Sequence, residues 1–341
     1  MRRLIILLVA VAALAAAVAG FYYARVDERY QGFDGTEQFV EIPPGTGSRA
    51  IGRALAEAGV VRDESTFRMA VYLTGTAREL KAGEYRFAGP ASPKEVARKL
   101  ARGAVYLRPM TFPEGLTVKE MARLFESRGF GAAKTFVQAA SDPALLRPLD
   151  PMARDLEGYL FPETYNLARR AEAGALVGQM AARFLDVFDA GLRTETQAQG
   201  RTVREVVTLA SLVEKETARP EERPIVAAVY LNRLRIGMGL QCDPTVIYAL
   251  ERAGKYTGNL TRQDLRFDSP YNTYRYAGLP PGPIAAPGRA SIEAALRPAK
   301  VDYLYFVSRN DGSHVFATTL AEHNRNVKEW QKELFKEKGS R

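Results

Sequence analysis

The start of this chain constrains it most. Leu4 to Phe21 reads LIILLVAVAALAAAVAGF, without a charged residue, and follows Arg2 and Arg3. A helix of about 20 apolar residues matches the hydrocarbon core of a bilayer. Two arginines ahead of it favour a cytoplasmic N-terminus, so everything beyond Arg25 is expected outside the cytoplasmic membrane. A cleaved export signal is the alternative. Ala17-Val18-Ala19 has the small residues of a cleavage site, but the apolar stretch exceeds most signal cores. A buried core helix fits least, because the segment is apolar all round and stands at the chain terminus.

The 341 residues suffice for two domains of ordinary size, and 46% of them are hydrophobic, enough for a packed core. A net charge of +9 would suit nucleic acid, an acidic glycan or an anionic membrane equally. No basic run interleaved with aromatics reads as a nucleic-acid platform, so no nucleic-acid partner is expected. The basic residues mostly stand beside Asp and Glu at helical spacing, the pattern of solvated helix faces. The one cysteine, Cys242, permits neither an intrachain disulfide nor a cysteine-based metal site. His314 and His323 do not form a ligand pattern. No metal and no cofactor are expected.

Residues 27–39 read as a charged, glycine-containing linker. A weak internal repeat follows. Pro43-Pro44-Gly45, Ile51, Arg53, Leu55 and Gly59-Val60 return 70 residues later as Pro113-Glu114-Gly115, Met121, Arg123, Phe125 and Gly129-Phe130. Each copy reads as a short strand, a Pro/Gly turn and a helix. Thr117-x-x-Glu120 and Ser92-Pro93-Lys94-Glu95 are capping boxes, and Gly83 to Phe87 alternates like a strand. These small units resemble LysM carbohydrate-binding modules; the alternative is a generic α+β scaffold.

From Asp155 the chain changes character. LEGYLFPETYN (Leu156 to Asn166) is dense in aromatics. Helices are expected near 173–191, 203–217, 225–235 and 244–253, then a long loop over 265–289 rich in Pro, Gly, Tyr and Asn. A strand over 301–307, a turn at Asn310-Asp311-Gly312, a return strand over 314–317 and a helix capped by Thr319-x-x-Glu322 finish it.

TLASLVEKET (Thr208 to Thr217) carries the chemistry. At about 100° per residue, Val203, Val206, Val207, Leu209, Ala210 and Val213 share an apolar face. Lys215 points away, and Glu214 and Glu216 fall on its opposite borders. A half-buried glutamate beside apolar side chains tends to keep its proton, as a general acid for a glycosidic bond must. The bland reading is a solvated cluster at a helix end, and periodicity alone does not choose between the two glutamates.

ASLVEKET, LNRLRIGMGLQCDPTVIY, SPYNTYRYAGLPPGPIAAPG and YLYFVSRNDGSHVF…EHN resemble, in order and spacing, the MltG (YceG-like) family of endolytic lytic transglycosylases; LEGYLFPETY resembles its upstream block. One departure is Cys242, where the family pattern has Thr. The resemblance implies an α+β protein: a cytoplasmic N-terminus (1–3), a single transmembrane helix (4–23), a linker (24–39), a LysM-like subdomain (40–110) and a larger mixed α/β catalytic domain (111–341). It implies that Glu214 is the acid/base. The reaction would cut the β-1,4 bond between N-acetylmuramic acid and N-acetylglucosamine inside a peptidoglycan strand. The muramyl C6 hydroxyl would attack C1 and leave a 1,6-anhydro end, terminating nascent strands. Ordinary glycosidases need two carboxylates, but one can suffice when the nucleophile belongs to the substrate.

Asn232, Gln241, Asp243, Tyr271, Asn272 and Tyr274 are the candidates for holding the sugar, since amides, carboxylates and tyrosines suit sugar hydroxyls and ring faces. Each also has a structural alternative: Asn232 at a helix end, Asp243 as a helix cap, Asn272 in a turn. Glu163 and Glu216 are lesser candidates, and His314 and His323 are expected in packing roles. The expected partners are peptidoglycan strands, the cytoplasmic membrane and membrane-bound peptidoglycan synthases.

The alternative function is a non-catalytic, membrane-anchored peptidoglycan-binding protein. A pyridoxal-phosphate lyase using Lys215 conflicts with that residue's polar helix side and with export. A serine hydrolase using Ser211 lacks the G-x-S-x-G elbow.

Overall fold

The computed structural model describes residues 2–169 and 171–333. The first residue of the expected cytoplasmic segment, and residues 170 and 334–341 of the expected catalytic domain, lie outside the described residues.

Helix α1 spans Arg2–Asp27, longer than the expected 4–23. Leu4, Ile5, Ile6, Leu7, Leu8 and Leu14 are all exposed along it. It is the one described helix long and apolar enough to cross a membrane. The residues after it are not loose. Tyr30 pairs with Ala91, Gly32 N–H donates to Gly59 O at 2.8 Å, and the Arg62 guanidinium sits 4.7 Å from the Tyr30 ring centre.

The chain divides into two compact units, residues 2–108 with 166–169, and residues 109–165 with the described part of 171–333. In the first, β1 (Gln38–Ile42) pairs antiparallel with β2 (Gly83–Phe87), Val40 opposite Tyr85. Between them run α2 (Ser48–Glu57) and α3 (Glu64–Thr74). α4 (Pro93–Arg102) follows β2, opened by the expected Ser92–Glu95 capping box. Val40, Ile42, Ile51, Leu55, Phe67, Tyr85, Val96 and Leu100 close into one core. That core explains the alternation of β1 and the 3–4 spacing of α2: both bury one face against the same apolar volume.

The same order starts again 70 residues on. β3 (Arg108–Thr111) leads through the 113–115 turn into α5 (Val118–Ser127) and α6 (Ala133–Ala140), and β3 pairs with β4 (Thr164–Leu167). Gly45 and Gly115 both have φ of 78°, which a side chain would strain. The two turns are therefore one backbone design written twice.

The second unit continues with α7 (Ala173–Val187), α8 (Ala190–Ala198), α9 (Val203–Glu216), α10 (Arg223–Arg235), α11 (Asp243–Arg252) and α12 (Arg289–Leu296). The helix expected over 173–191 is two helices. Phe188 leaves the helical region and Asp189 starts α8, its side chain accepting Leu192 N–H at 3.0 Å. The strand expected from 301 begins later, as β5 (Tyr305–Ser308) pairing with β6 (His314–Ala317). Asn232 Nδ2 claims the Val301 and Tyr303 carbonyls (2.9 and 3.1 Å), so that stretch is held by a side chain instead of a ladder. α13 (Leu320–Val327) carries the expected Thr319–Glu322 box.

Candidate active site

Helix α9 carries the site. Thr202 and Glu205 form a capping box at its start, and no Gly or Pro interrupts it. Every residue from Val206 to Val213 is buried, Thr208 and Ser211 included. The sequence had predicted one apolar face; packing against α8, α10, α11 and α12 covers the others too. Ser211 is consumed by this packing. Its hydroxyl donates to Thr208 O (2.7 Å) and accepts Ile284 N–H (3.1 Å), which pins the loop before α12 to the helix. It is no nucleophile.

At Thr217 the backbone turns extended, and in that last turn the two glutamates diverge. The Glu214 side chain is only 6% exposed. Its Oε2 accepts the Gly288 N–H at 3.0 Å, and its Oε1 lies 3.4 Å from Arg223 Nη2. The same Nη2 lies 3.5 Å from Oε2 of Glu114, a carboxylate in the 113–115 turn that is not among the sequence candidates.

Backbone bonds fix this meeting. Gly115 N–H donates to Ala286 O (2.8 Å) and Ala286 N–H to Leu116 O (2.9 Å), so the 113–115 turn and the 286–288 segment run side by side. Lys215 Nζ donates to Gly115 O at 3.1 Å, tying the turn to α9. That bond, and the exposure of the side chain, leave Lys215 no Schiff-base setting. A Cβ on Gly288 would overlap the Glu114 carboxyl, although its φ of −75° and ψ of 169° suit any residue. The Glu114 carboxyl as placed fills the space a side chain at 288 would take. Burial, and secondly the charge of Glu214, raise the Glu114 carboxyl above its ordinary range, with Arg223 opposing.

Glu216 faces elsewhere. Tyr230 OH donates to its Oε1 at 2.7 Å. Burial raises the Glu216 carboxyl and drives the Tyr230 hydroxyl and Cys242 thiol well above their usual ranges. Nearby, Glu222 accepts from the His314 backbone N–H (2.9 Å) and contacts His314 Nδ1 (2.7 Å). His323 stacks on Tyr305 at 5.2 Å. Glu163 forms a two-pronged, exposed pair with Arg183 (2.7 and 3.2 Å).

Four of the six sugar candidates gather where the 239–243 segment meets the 269–276 loop. Gln241 N–H donates to Thr273 O (3.2 Å), and Tyr274 OH donates to Asp243 Oδ1 at 2.6 Å. Asp243 is the first residue of α11; the cap position falls to Cys242, which makes no side-chain cap bond. Gln241 is exposed and held at φ 48°, a strained value for a residue with a side chain. Asn272 is wholly buried, its amide donating to Leu265 O and Phe267 O (3.1 and 2.7 Å) and accepting Tyr274 N–H (3.0 Å). The amides of Asn272 and Asn232 are thus spent within the fold. Tyr271 stands apart, its ring 5.0 Å from that of Tyr248 and 5.6 Å from the Arg252 guanidinium. Among the described residues, none of the six is bonded to Glu214.

Tyr271 and Arg252 belong to a second polar cluster around Glu157. This buried carboxyl accepts Val118 N–H (3.0 Å) and Tyr248 OH (3.2 Å), and burial pushes its pKa up to about 7. It lines two recesses, of about 280 and 170 Å3. Neither includes Glu214.

Chemically, Glu214 sits on a rigid helix beside a second carboxylate and a shared guanidinium. That set can hold, give and take a proton. Glu114 was legible only as an oddity: the first copy of its turn has Pro44 at the matching position. Arg223 and Gly288 gave no signal beyond lying in or near the family-like blocks.

Comparison with known proteins agrees with this architecture. The YceG-like family model matches residues 40–329. A Bacillus subtilis (strain 168) protein named endolytic murein transglycosylase is 34% identical over 301 residues, covering 84% of this chain and 82% of its own length. A protein of the same name from Streptococcus pneumoniae (serotype 2, strain D39) is 34% identical over 323 residues, covering 85% of this chain but 58% of its own length. The crystal structure of a YceG-like protein from Listeria monocytogenes superimposes with a TM-score of 0.58 at 32% identity, covering 85% of this chain and 98% of that one. On the extent of the family match and the identity to these relatives, the chain belongs to the YceG-like family.

Proposed function

We propose that this chain is a membrane-anchored endolytic murein transglycosylase. It cleaves the β-1,4 bond between N-acetylmuramic acid and N-acetylglucosamine within peptidoglycan strands and leaves 1,6-anhydro ends. The relatives' shared name supports the activity. The observation that carries the mechanism is the placement of Glu214: almost enclosed, at the end of a fully packed helix, beside other proton-holding groups.

Glu214 gives its proton to the leaving oxygen as the C1–O4 bond breaks. The C6 hydroxyl of the same muramyl residue closes on C1, and its proton returns to the carboxyls of the site. Positive charge at C1 grows beside carboxylate charge, which stabilises it. Gln241, Asp243, Tyr271 and Tyr274 hold the sugars; Asn232 and Asn272 set the segments that present them. The β1–α2–α3–β2 arrangement supports a LysM-like, glycan-holding role for residues 40–110, with 111–341 as the catalytic domain. α1 anchors the chain, with the rest outside the cytoplasmic membrane. There it acts on strands emerging from membrane-bound synthases and ends their elongation.

The test is digestion of stem-bearing peptidoglycan by the full-length protein in detergent, beside Glu214→Gln, read by mass spectrometry. Anhydro-muramyl ends from the parent, reduced by about 10² to 10⁴-fold in the variant, are expected. Reducing ends would replace this reading with hydrolysis. Binding without cleavage would replace it with a glycan-binding role.

A further inference from the structure

We propose that Glu114 is a second working carboxylate of this site, sharing one proton with Glu214 across Arg223, so that one carboxyl gives a proton while the other takes one. The inference rests on the proposed transglycosylase reading. That reaction moves two protons, one onto the leaving O4 and one off the attacking O6.

Three observations carry the proposal. The first is geometric. Glu114 Oε2 and Glu214 Oε1 lie 3.5 and 3.4 Å from one guanidinium nitrogen. These are loose contacts for charge-assisted bonds, which favour 2.7–2.9 Å or so. The arrangement holds both carboxyls without saturating either. The second is steric. The Glu114 carboxyl lies in the space a Cβ on Gly288 would take, and the same residue's N–H donates to Glu214. One backbone position thus accommodates both acids.

The third observation is an internal control. The turn at 43–45 has the same glycine φ of 78° and leads into a helix over the same span, yet it carries Pro44 where the second copy carries Glu114. The turn therefore forms without a glutamate. The carboxylate is present only in the copy that abuts Glu214.

The charged groups acting on Glu114 are Glu214 from α9 and Arg223 from the start of α10; Lys215, on the same helix turn, is bonded to the Gly115 carbonyl. Glu114 is held above its ordinary range by burial first and by the charge of Glu214 second, with Arg223 opposing. In the reaction the shared proton passes through Glu214 to O4 as C1–O4 breaks. O6 bonds to C1, and its proton passes to the charged carboxyl. The pair ends with one proton, as it began, and no other reactant is consumed.

The test is the pH dependence of kcat and KM for the full-length protein in detergent on uncrosslinked glycan strands, beside Glu114→Gln. The parent should show two limbs: at low pH both carboxyls are protonated and no acceptor remains, and at high pH both are charged and no donor remains. Glu114→Gln should lose on the order of 10²-fold or more in kcat with KM little changed, and its remaining activity should lack the acid limb. Should Glu114→Gln not fold, Glu114→Pro, which copies the first turn, replaces it. Unchanged kcat overturns the inference, as does a uniform loss with both limbs kept, the signature of a structural role. A parent that makes no anhydro ends brings down the transglycosylase reading, and this inference with it.

Discussion

Glu214 and Gly288, 74 residues apart in sequence, are joined by a 3.0 Å hydrogen bond from the Gly288 N–H to Oε2 of the glutamate. The bond fixes the carboxyl's direction. The missing Cβ of Gly288 leaves the space that the Glu114 carboxyl fills. One residue with no side chain thus sets the relation of two acids.

Gly288→Ala separates the two effects. The backbone, at φ −75° and ψ 169°, accepts alanine without strain, and the N–H to Glu214 survives. The new methyl group displaces only the end of Glu114. Activity should fall by on the order of 10²-fold, the usual cost of a misplaced group, with the melting temperature nearly unchanged. Steady-state kinetics beside a thermal melt checks it; full activity would make the Glu114 position irrelevant.

Glu157 makes stability depend on pH. Its folded-state pKa of about 7, raised chiefly by burial, exceeds the unfolded value near 4.5. The folded protein therefore binds this proton more tightly than the unfolded chain. The stabilisation is complete below the unfolded value and is lost as pH rises through about 7. The shift corresponds to roughly 3 kcal/mol. Glu157→Gln keeps the shape and removes the charge. It should melt several degrees above the parent at pH 8 and show a flatter profile between pH 5 and 8; parallel profiles would count against the assignment.

Cys242 should be inert. It is buried, and burial together with the Glu216 charge drives its thiol far from the reactive thiolate form. A thiol reagent should label the native protein at least about 100-fold more slowly than the denatured protein. Comparable rates would show that the segment before α11 opens readily.

Gln241 stores backbone strain. Its φ of 48° is a left-handed value that costs a side-chain-bearing residue about 1 kcal/mol or more. Gln241→Gly should hold or raise the melting temperature. If the amide holds a sugar, the same variant should raise KM severalfold. A fall in stability would mean that the Gln241 side chain supports the fold.

The elements legible in the sequence were those coded locally. The apolar start, the four-residue capping boxes at Ser92, Thr117 and Thr319, and the 70-residue repeat of strand, turn and helix all act within a turn or two of chain, and the structure carries each of them. The divergence of Glu214 and Glu216 followed from helical geometry alone. Periodicity overreached where helices end or side chains intervene. The 173–191 helix breaks because Asp189 offers a fresh start, and the strand expected from 301 yields to the Asn232 amide.

Sequence by itself determined the apolar N-terminal helix, the helix that carries Glu214 and the family-like blocks around it, because composition, caps and periodicity are short-range signals. Only the tertiary structure decided that the Glu114 turn lies against α9, 100 residues away at the Lys215–Gly115 bond, and that α9 is buried on every side from Val206 to Val213. Those facts arise when α12 and the 284–288 segment close over the helix, and no local pattern encodes which surfaces packing brings together.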